Sequence, residues 1–159
     1  MTTTPDPTTG TSSRVRQVEA IANGTVVDHI PALATLKIAQ LLAGSSDQVF
    51  VGMNLRSNRG GRKGVVKIAN RELDPRTLSC LALIAPEATV SIIRNYAVAE
   101  KFVVPVPDCF EGVAKCANPN CVTNHERWPS RFCVVSRLPL VVRCGYCERS
   151  FTGADLTLI

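Results

Sequence analysis

The chain has 159 residues, 45% of them hydrophobic, and a formal net charge of +5. That is enough apolar material for one domain or two small ones, and no run approaches the ~18 apolar residues of a transmembrane helix. The modest positive charge favours anionic partners without choosing among nucleotides, nucleic acid and acidic protein faces. Seven cysteines without a secretory signal favour a reducing, cytoplasmic setting over a disulfide framework.

Met1 to Ser13 is rich in Thr, Ser and Pro. It lacks the basic start and apolar stretch of a signal peptide and reads as a disordered tail. Val15 to Ile21 reads as a strand, Asn23-Gly24 as a hairpin turn, and Thr25 to Ile30 as the next strand. Pro31 then opens a helical stretch in which Ala34, Ile38, Leu41 and Leu42 share one face, ending at Gly44. Gln48 to Leu55 and Val65 to Ala69 are two further strands, joined by a glycine-bearing loop from Arg56 to Arg62.

The second helix is the better marked. Asp74 is a natural N-cap and Pro75 fits the first helical position. Leu78, Leu81, Ala82 and Ala85 then recur at helical spacing until Pro86 stops the run. A β-rich stretch follows from Thr89 through Val98. With the first strand set aside, the order is βαββαβ, which predicts a ferredoxin-like α+β sandwich: one antiparallel sheet with two helices on one face. An open sheet leaves edge strands to manage, and pairing of an edge with a second copy predicts a symmetric dimer.

Pro105 and Pro107 make a short stiff linker, and beyond them the chain is short-stranded, loop-rich and cysteine-bearing. This gives a tail over 1–13, a first domain over 14–104 and a second over 105–159. The second is too short to build a substantial core and needs a staple. The staple is Cys116-Ala-Asn-Pro-Asn-Cys121 and, after a span long enough for a hairpin, Cys144-Gly-Tyr-Cys147. Two close Cys pairs at such a separation make a tetrahedral thiolate cage. The tight turns within them, with Asn118, Pro119, Asn120 and Gly145, can aim backbone N–H groups at the sulfurs. Thiolate ligation selects zinc, or iron in the same geometry, over hard cations. Four thiolates leave no open position, so the expected cofactor is one structural zinc ion, with His125 not needed as a ligand. Cys80 and Cys133 lie in apolar segments and are expected in the core; Cys109, near the linker, has no evident role.

In joint order, several segments resemble the regulatory chain of aspartate carbamoyltransferase. They are Gln17-Val-Glu-Ala-Ile21, Gly24-Thr-Val-Val-Asp-His-Ile-Pro31, Gly61-Arg-Lys63, Lys67-Ile68, Ala85-Pro-Glu-Ala-Thr-Val90, Asn95-Tyr96, the Cys116–Cys121 pair enclosing Asn118 and Asn120, and Cys144-Gly-Tyr-Cys-Glu148. The resemblance runs from about Arg16 to the C-terminus. It implies a non-catalytic allosteric subunit of pyrimidine biosynthesis. The first domain would bind nucleotide effectors (CTP, UTP, ATP) and dimerise; the second, a rubredoxin-like all-β zinc domain, would dock on catalytic chains and so link catalytic trimers.

By that resemblance Val18, Glu19, Ala20 and Ile21 belong to a strand lining the base, Asp28 faces the ribose and His29 lies beside the triphosphate. Lys63 and Lys67 are ribose- and base-side contacts, Tyr96 and Val98 are base contacts, and Lys101 is a phosphate lysine. Asn118, Asn120 and Glu148 match residues of the catalytic-chain interface. Ser91 stands where the family commonly has a nucleotide-proximal Asn, Ala69 replaces a common Glu and Val103 a position often basic; these departures bear on effector preference and on any joint action of CTP and UTP. Asp28 and His29, adjacent on a strand, should point to opposite faces unless a bulge turns the chain.

Two other function classes compete. Trp128, Phe132, Tyr146 and Phe151 interleave with Arg127, Arg131, Arg143 and Arg149, a pattern that a nucleic-acid-binding zinc ribbon would use. An enzyme would need a nucleophile motif, a glycine-rich phosphate loop or an open metal site, and the sequence offers none of these. The regulatory reading expects neither a nucleic-acid nor a membrane partner.

Overall fold

The computed structural model describes residues 19–44 and 46–159. A five-stranded antiparallel sheet is built from β1 (Gly24–Ile30), β2 (Val49–Arg56), β3 (Arg62–Ala69), β4 (Thr89–Arg94) and β5 (Ala97–Val103), in the spatial order β2-β3-β1-β4-β5. Helices α1 (Thr35–Leu42) and α2 (Pro75–Ile84) complete the βαββαβ unit, with β5 added beside β4. The unit is ferredoxin-like, as expected. The Asp74 carboxylate accepts from the Thr77 backbone N–H at 3.0 Å with Pro75 in the first turn, so the N-terminus of α2 is capped as its sequence indicates.

Three local expectations change. The first strand, Val15 to Ile21, is not seen: Glu19–Ile21 are irregular, and the part before Glu19 lies outside the described residues. Asn23 serves as a tie, not as half of a hairpin turn. Its carbonyl accepts from the Asn70 N–H at 3.0 Å and its side-chain oxygen from the Asn95 N–H at 3.1 Å, so one short polar residue joins two turns at the end of the sheet. The β-rich stretch after Thr89 is two strands: Asn95 and Tyr96, at φ 50° and 62°, form a tight left-handed turn of the kind that closes two-residue hairpins.

The second half is all β. A sheet in the order β10-β9-β8-β6 comprises β6 (Cys109–Glu111), β8 (Arg131–Arg137), β9 (Leu140–Cys144) and β10 (Ser150–Thr152); β7 (Ala114–Lys115) pairs with β11 (Thr157–Leu158). Cys109 lies opposite Cys133 across β6 and β8 and the two form a disulfide. This corrects two expectations: Cys133 is a half-buried cross-link and not a core thiol, and the chain does carry a disulfide. The pair is distant in sequence and only the strand register brings it together. Cys80 is the buried core residue expected.

One apolar core runs through both halves. Val27, Ile38, Leu42, Val66, Leu81 and Val90 of the first are continuous with Val104, Phe110, Val113, Phe132, Val142 and Leu156 of the second. Two hydrogen bonds reinforce this seam. Arg76 on α2 donates to the Gly112 carbonyl at 2.7 Å, and Lys37 on α1 to the Leu156 carbonyl at 3.2 Å.

The helix-covered side of the sheet depends on a close approach at Gly64. A Cβ there would lie 1.9 Å from the hydroxyl oxygen of Thr35, which is fully buried. Gly64→Ala must therefore push α1 off β3. The expected cost is about 1–3 kcal/mol, read as a lower urea midpoint at unchanged slope; an unchanged midpoint would show that the helix does not bear on this strand.

Candidate functional site

β7 runs into Cys116, a single 3-10 turn (Val122–Asn124) follows Cys121, and β9 ends on Cys144, from which a turn carries the chain through Cys147 to β10. The four sulfurs lie within 4.8 Å of one another. Cys116 and Cys147 are 3.6 Å apart, and Cys121 and Cys144 3.8 Å. A tetrahedron with metal–sulfur bonds of about 2.3 Å has edges of about 3.8 Å. The cage therefore fits zinc.

The turns supply what the sulfurs require. Backbone N–H groups of Asn118, Thr123, Tyr146, Cys147 and Arg149 are directed at the four thiols. The Thr123 hydroxyl adds a bond to the Cys121 sulfur at 3.3 Å. Burial pushes the thiols of Cys116 and Cys144 up. At Cys147 burial acts the same way, but the Arg149 N–H and the Asn118 side chain outweigh it and bring the thiol down to about 7. At Cys121 the Thr123 hydroxyl and N–H likewise overcome burial. These donors favour the thiolate form at Cys121 and Cys147, the form in which a cysteine ligates a metal.

Asn118 is itself buried beneath its knuckle. Its carbonyl accepts from Asn124 Nδ2 at 2.8 Å and its Oδ1 from the Asn120 N–H at 3.2 Å, so it shapes the turn from within. Asn120 and Glu148 are exposed. Glu148 sits at φ 58° and pairs with Arg143 at 3.2 Å. Thr123 and Asn124 escaped the reading of the sequence, although a hydroxyl two residues after a ligand is a recognisable signal.

The other candidate residues gather on the sheet face away from the helices. Gly64 faces α1, so its neighbours Lys63 and Val65, and then Lys67, point the opposite way. Lys67, Val26, Ser91 and Lys101 are consecutive cross-strand partners and share that face. Lys67 Nζ donates to the Glu19 carbonyl at 2.6 Å, and the Tyr96 N–H to the Ala22 carbonyl at 2.8 Å. The segment from Glu19 through Ala20 and Ile21 is thus held beside β3 and the β4–β5 turn. Tyr96 and Val98 are exposed there, whereas Ser91 and Ile21 are buried. Val18 lies outside the described residues.

Asp28 and His29 end on the same side, for the one reason that permits it. The β1–β3 register slips between Val27 and Ile30, with His29 at φ 59°. The bulge lets the Asp28 carboxylate accept from the His29 N–H at 2.6 Å and sets the two side chains 3.6 Å apart. Asp28 also pairs with Lys63 at 2.8 Å. Burial raises its carboxyl, but the Lys63 and His29 hydrogen bonds and the Lys63 charge prevail and hold it below the usual carboxylate range. Burial likewise holds His29 below its ordinary value. The Asp28 charge opposes that shift, and the charges of Arg59, Lys63 and Lys101 add to it.

Comparison with known proteins decides the family. The model of the aspartate carbamoyltransferase regulatory chain, allosteric domain, matches residues 16–105, and that of its metal binding domain matches residues 108–157. The chain belongs to the aspartate carbamoyltransferase regulatory chains. Regulatory chains of Pyrococcus abyssi and Pyrococcus horikoshii are 49% and 48% identical to it, each over 144 residues that make up 88% of this chain and 95% of the relative. That of Thermoplasma acidophilum is 43% identical over the same share. As a regulatory chain it is a non-catalytic subunit whose partners are catalytic chains, with a second half suited to one zinc ion. Among the described residues no helix is long and apolar enough to cross a membrane.

Two outcomes follow for this regulatory chain. Metal analysis of the purified chain should return one zinc per chain. Its release by a mercurial should abolish amide protection in β6–β11 while β1–β5 keep theirs; full protection in the metal-free chain would refute a stapling role. Second, a carboxyl held low in the folded state contributes stability that is present above its unfolded value, near pH 4, and is lost as pH falls through the lower folded value. Asp28→Asn should therefore be less stable than the parent at pH 7, with the gap closing on acidification. A gap independent of pH would mean that the Asp28–Lys63 pair is not its source.

Proposed function

We propose that this chain is the allosteric subunit of an aspartate carbamoyltransferase holoenzyme. In this reading the outer sheet face binds nucleotide effectors (CTP, UTP and ATP), and the zinc domain docks on catalytic chains so that dimers of this subunit link catalytic trimers. The observation that carries the effector assignment is the convergence of Asp28, His29, Lys63, Lys67 and Lys101 on the face opposite the helices, beside the Glu19–Ile21 segment. A carboxylate suits ribose hydroxyls, lysine ammonium groups suit phosphates, and irregular backbone at Glu19–Ile21 offers N–H and C=O groups to a base edge.

The division of labour follows the two halves: effector binding and dimerisation over residues 14–104, docking over 105–159, with 1–13 a tail. Exposed apolar side chains on the edge strands, Val51 and Met53 of β2 and Val98 and Val103 of β5, favour self-association of the first half. Asn120 and Glu148, exposed on the knuckles, with Asn118 fixing their geometry, are the proposed docking residues. The nucleic-acid alternative loses ground because Phe132 is fully buried and Phe151 packs against the same core, which withdraws two of its four aromatics from stacking and leaves only the exposed Trp128–Tyr146 pair.

The test is titration calorimetry of the zinc-loaded chain with CTP and ATP, coupled to sedimentation with catalytic trimers. Saturable nucleotide binding, weakened about tenfold or more by Lys101→Ala, and a metal-dependent complex are expected. Absence of binding at millimolar nucleotide would end the effector assignment, and a complex that survives metal removal would end the docking one.

A further inference from the structure

Between β2 and β3 the chain makes a compact turn. The Ser57 N–H donates to the Gly61 carbonyl at 3.1 Å, the Gly60 N–H to the Ser57 carbonyl at 3.2 Å, and the Arg59 N–H to the Ser57 hydroxyl at 3.2 Å. Gly60 and Gly61, at φ 93° and 71°, take backbone conformations that side-chain-bearing residues rarely adopt. The base of Arg59 is therefore fixed while its side chain projects from the loop. Beneath it lies a cavity of about 220 Å³ lined by His29, Ser57, Arg59, Arg62, Lys63 and Glu87, among others. This is smaller than the roughly 300–1,000 Å³ that encloses a drug-sized ligand; it suits a charged end of one.

The charges around the cavity do not balance. Lys63 is paired with Asp28 and Arg62 donates to the Asn54 carbonyl at 2.8 Å, but among the described residues neither a carboxylate nor a carbonyl pairs with the Arg59 guanidinium. Glu87 is the one acid among the lining residues. His29 contributes Nδ1, a buried ring nitrogen with no hydrogen-bond partner. The field of Arg59, Lys63 and Lys101 reaches that ring and helps to keep it neutral. A planar guanidinium beside an imidazole whose Nδ1 makes no hydrogen bond, with Lys63 and Lys101 close enough to act on that ring, is a set that phosphate oxygens satisfy.

We propose that Arg59, on the β2–β3 loop, binds the terminal phosphates of the effector and so makes the face selective for nucleoside triphosphates over monophosphates. This rests on the effector reading above and adds to it a residue that the family resemblance does not supply. The single phosphate of a monophosphate, held close to the ribose by Lys101, would stop short of the loop; the third phosphate of a triphosphate would reach it.

Calorimetry on the full zinc-loaded chain tests this with three probes: CTP, CMP and inorganic tripolyphosphate. Relative to the parent, Arg59→Ala should weaken CTP and tripolyphosphate about tenfold or more and leave CMP within about twofold. Arg59→Lys should restore part of the loss, since it returns the charge without the fork. Equal losses for CTP and CMP, or no loss for either, would overturn the proposal, the second outcome making Arg59 a solvated surface charge. If the parent binds tripolyphosphate in an Arg59-dependent manner but discriminates nothing in CTP, the anion site stands and the effector reading falls. If it binds neither, both fall.

Discussion

The structure depends on the inability of the second half to shield its own apolar face. Its strands are two to seven residues long, and a sheet of that kind buries too little surface to offset the entropy of ordering its loops. Three devices compensate, each acting at a different place. The thiolate cage ties the β7 end to the β9–β10 turn, the Cys109–Cys133 disulfide ties β6 to β8, and the apolar side of the sheet lies on the helices of the first half. Phe132 shows how closely the devices interlock: it is fully buried, stacks on Phe110 at 5.4 Å, and sits in register opposite the ligand Cys144.

A consequence is that α1 and α2 work on both sides. Toward the first sheet they cover Val27, Val66 and Val90; toward the second they meet the region of Gly153, where an added Cβ would lie 3.1 Å from Leu140 and 3.4 Å from the Leu83 carbonyl. Close-packed layers of this kind pass on displacement instead of absorbing it. The strands that carry Asp28 and Lys63 outward carry Val27, Gly64 and Val66 inward, so a ligand that shifts the outer face moves the helix-facing residues of the same strands. The Arg76–Gly112 and Lys37–Leu156 bonds tie the same two helices to the second half. For an allosteric subunit this is a physical path between its two halves, made of backbone shared by two faces.

Much of this was legible in the residues. The α2 cap, the βαββαβ order and the metal knuckles rest on local chemistry: a carboxylate before a proline, apolar side chains at helical spacing, close cysteine pairs. What escaped was partly non-local. The disulfide exists because β6 and β8 happen to be in register, and nothing in the segments around Cys109 and Cys133 announces it. The turn at Asn95 and Tyr96 needs positive φ at both positions, which Asn favours but Tyr does not, so a bulky aromatic hid a hairpin. Asn23 has the residue pair of a hairpin turn, yet its hydrogen bonds go to Asn70 and Asn95, residues that only the folded sheet brings near.

The bulge at His29 shows why composition of a site and its geometry must be argued separately. Alternation along β1 would send Asp28 and His29 to opposite faces, and a site needing both would be impossible on a regular strand. One left-handed residue removes the conflict, and its cost, of order 1–3 kcal/mol for a non-glycine residue, is offset locally by the Asp28 carboxylate capping the His29 N–H and by the Lys63 ion pair. The same bulge places the unpartnered ring nitrogen of His29 next to the loop that carries Arg59. One backbone irregularity therefore joins the ribose-facing acid proposed for this face to the cation proposed for its phosphates.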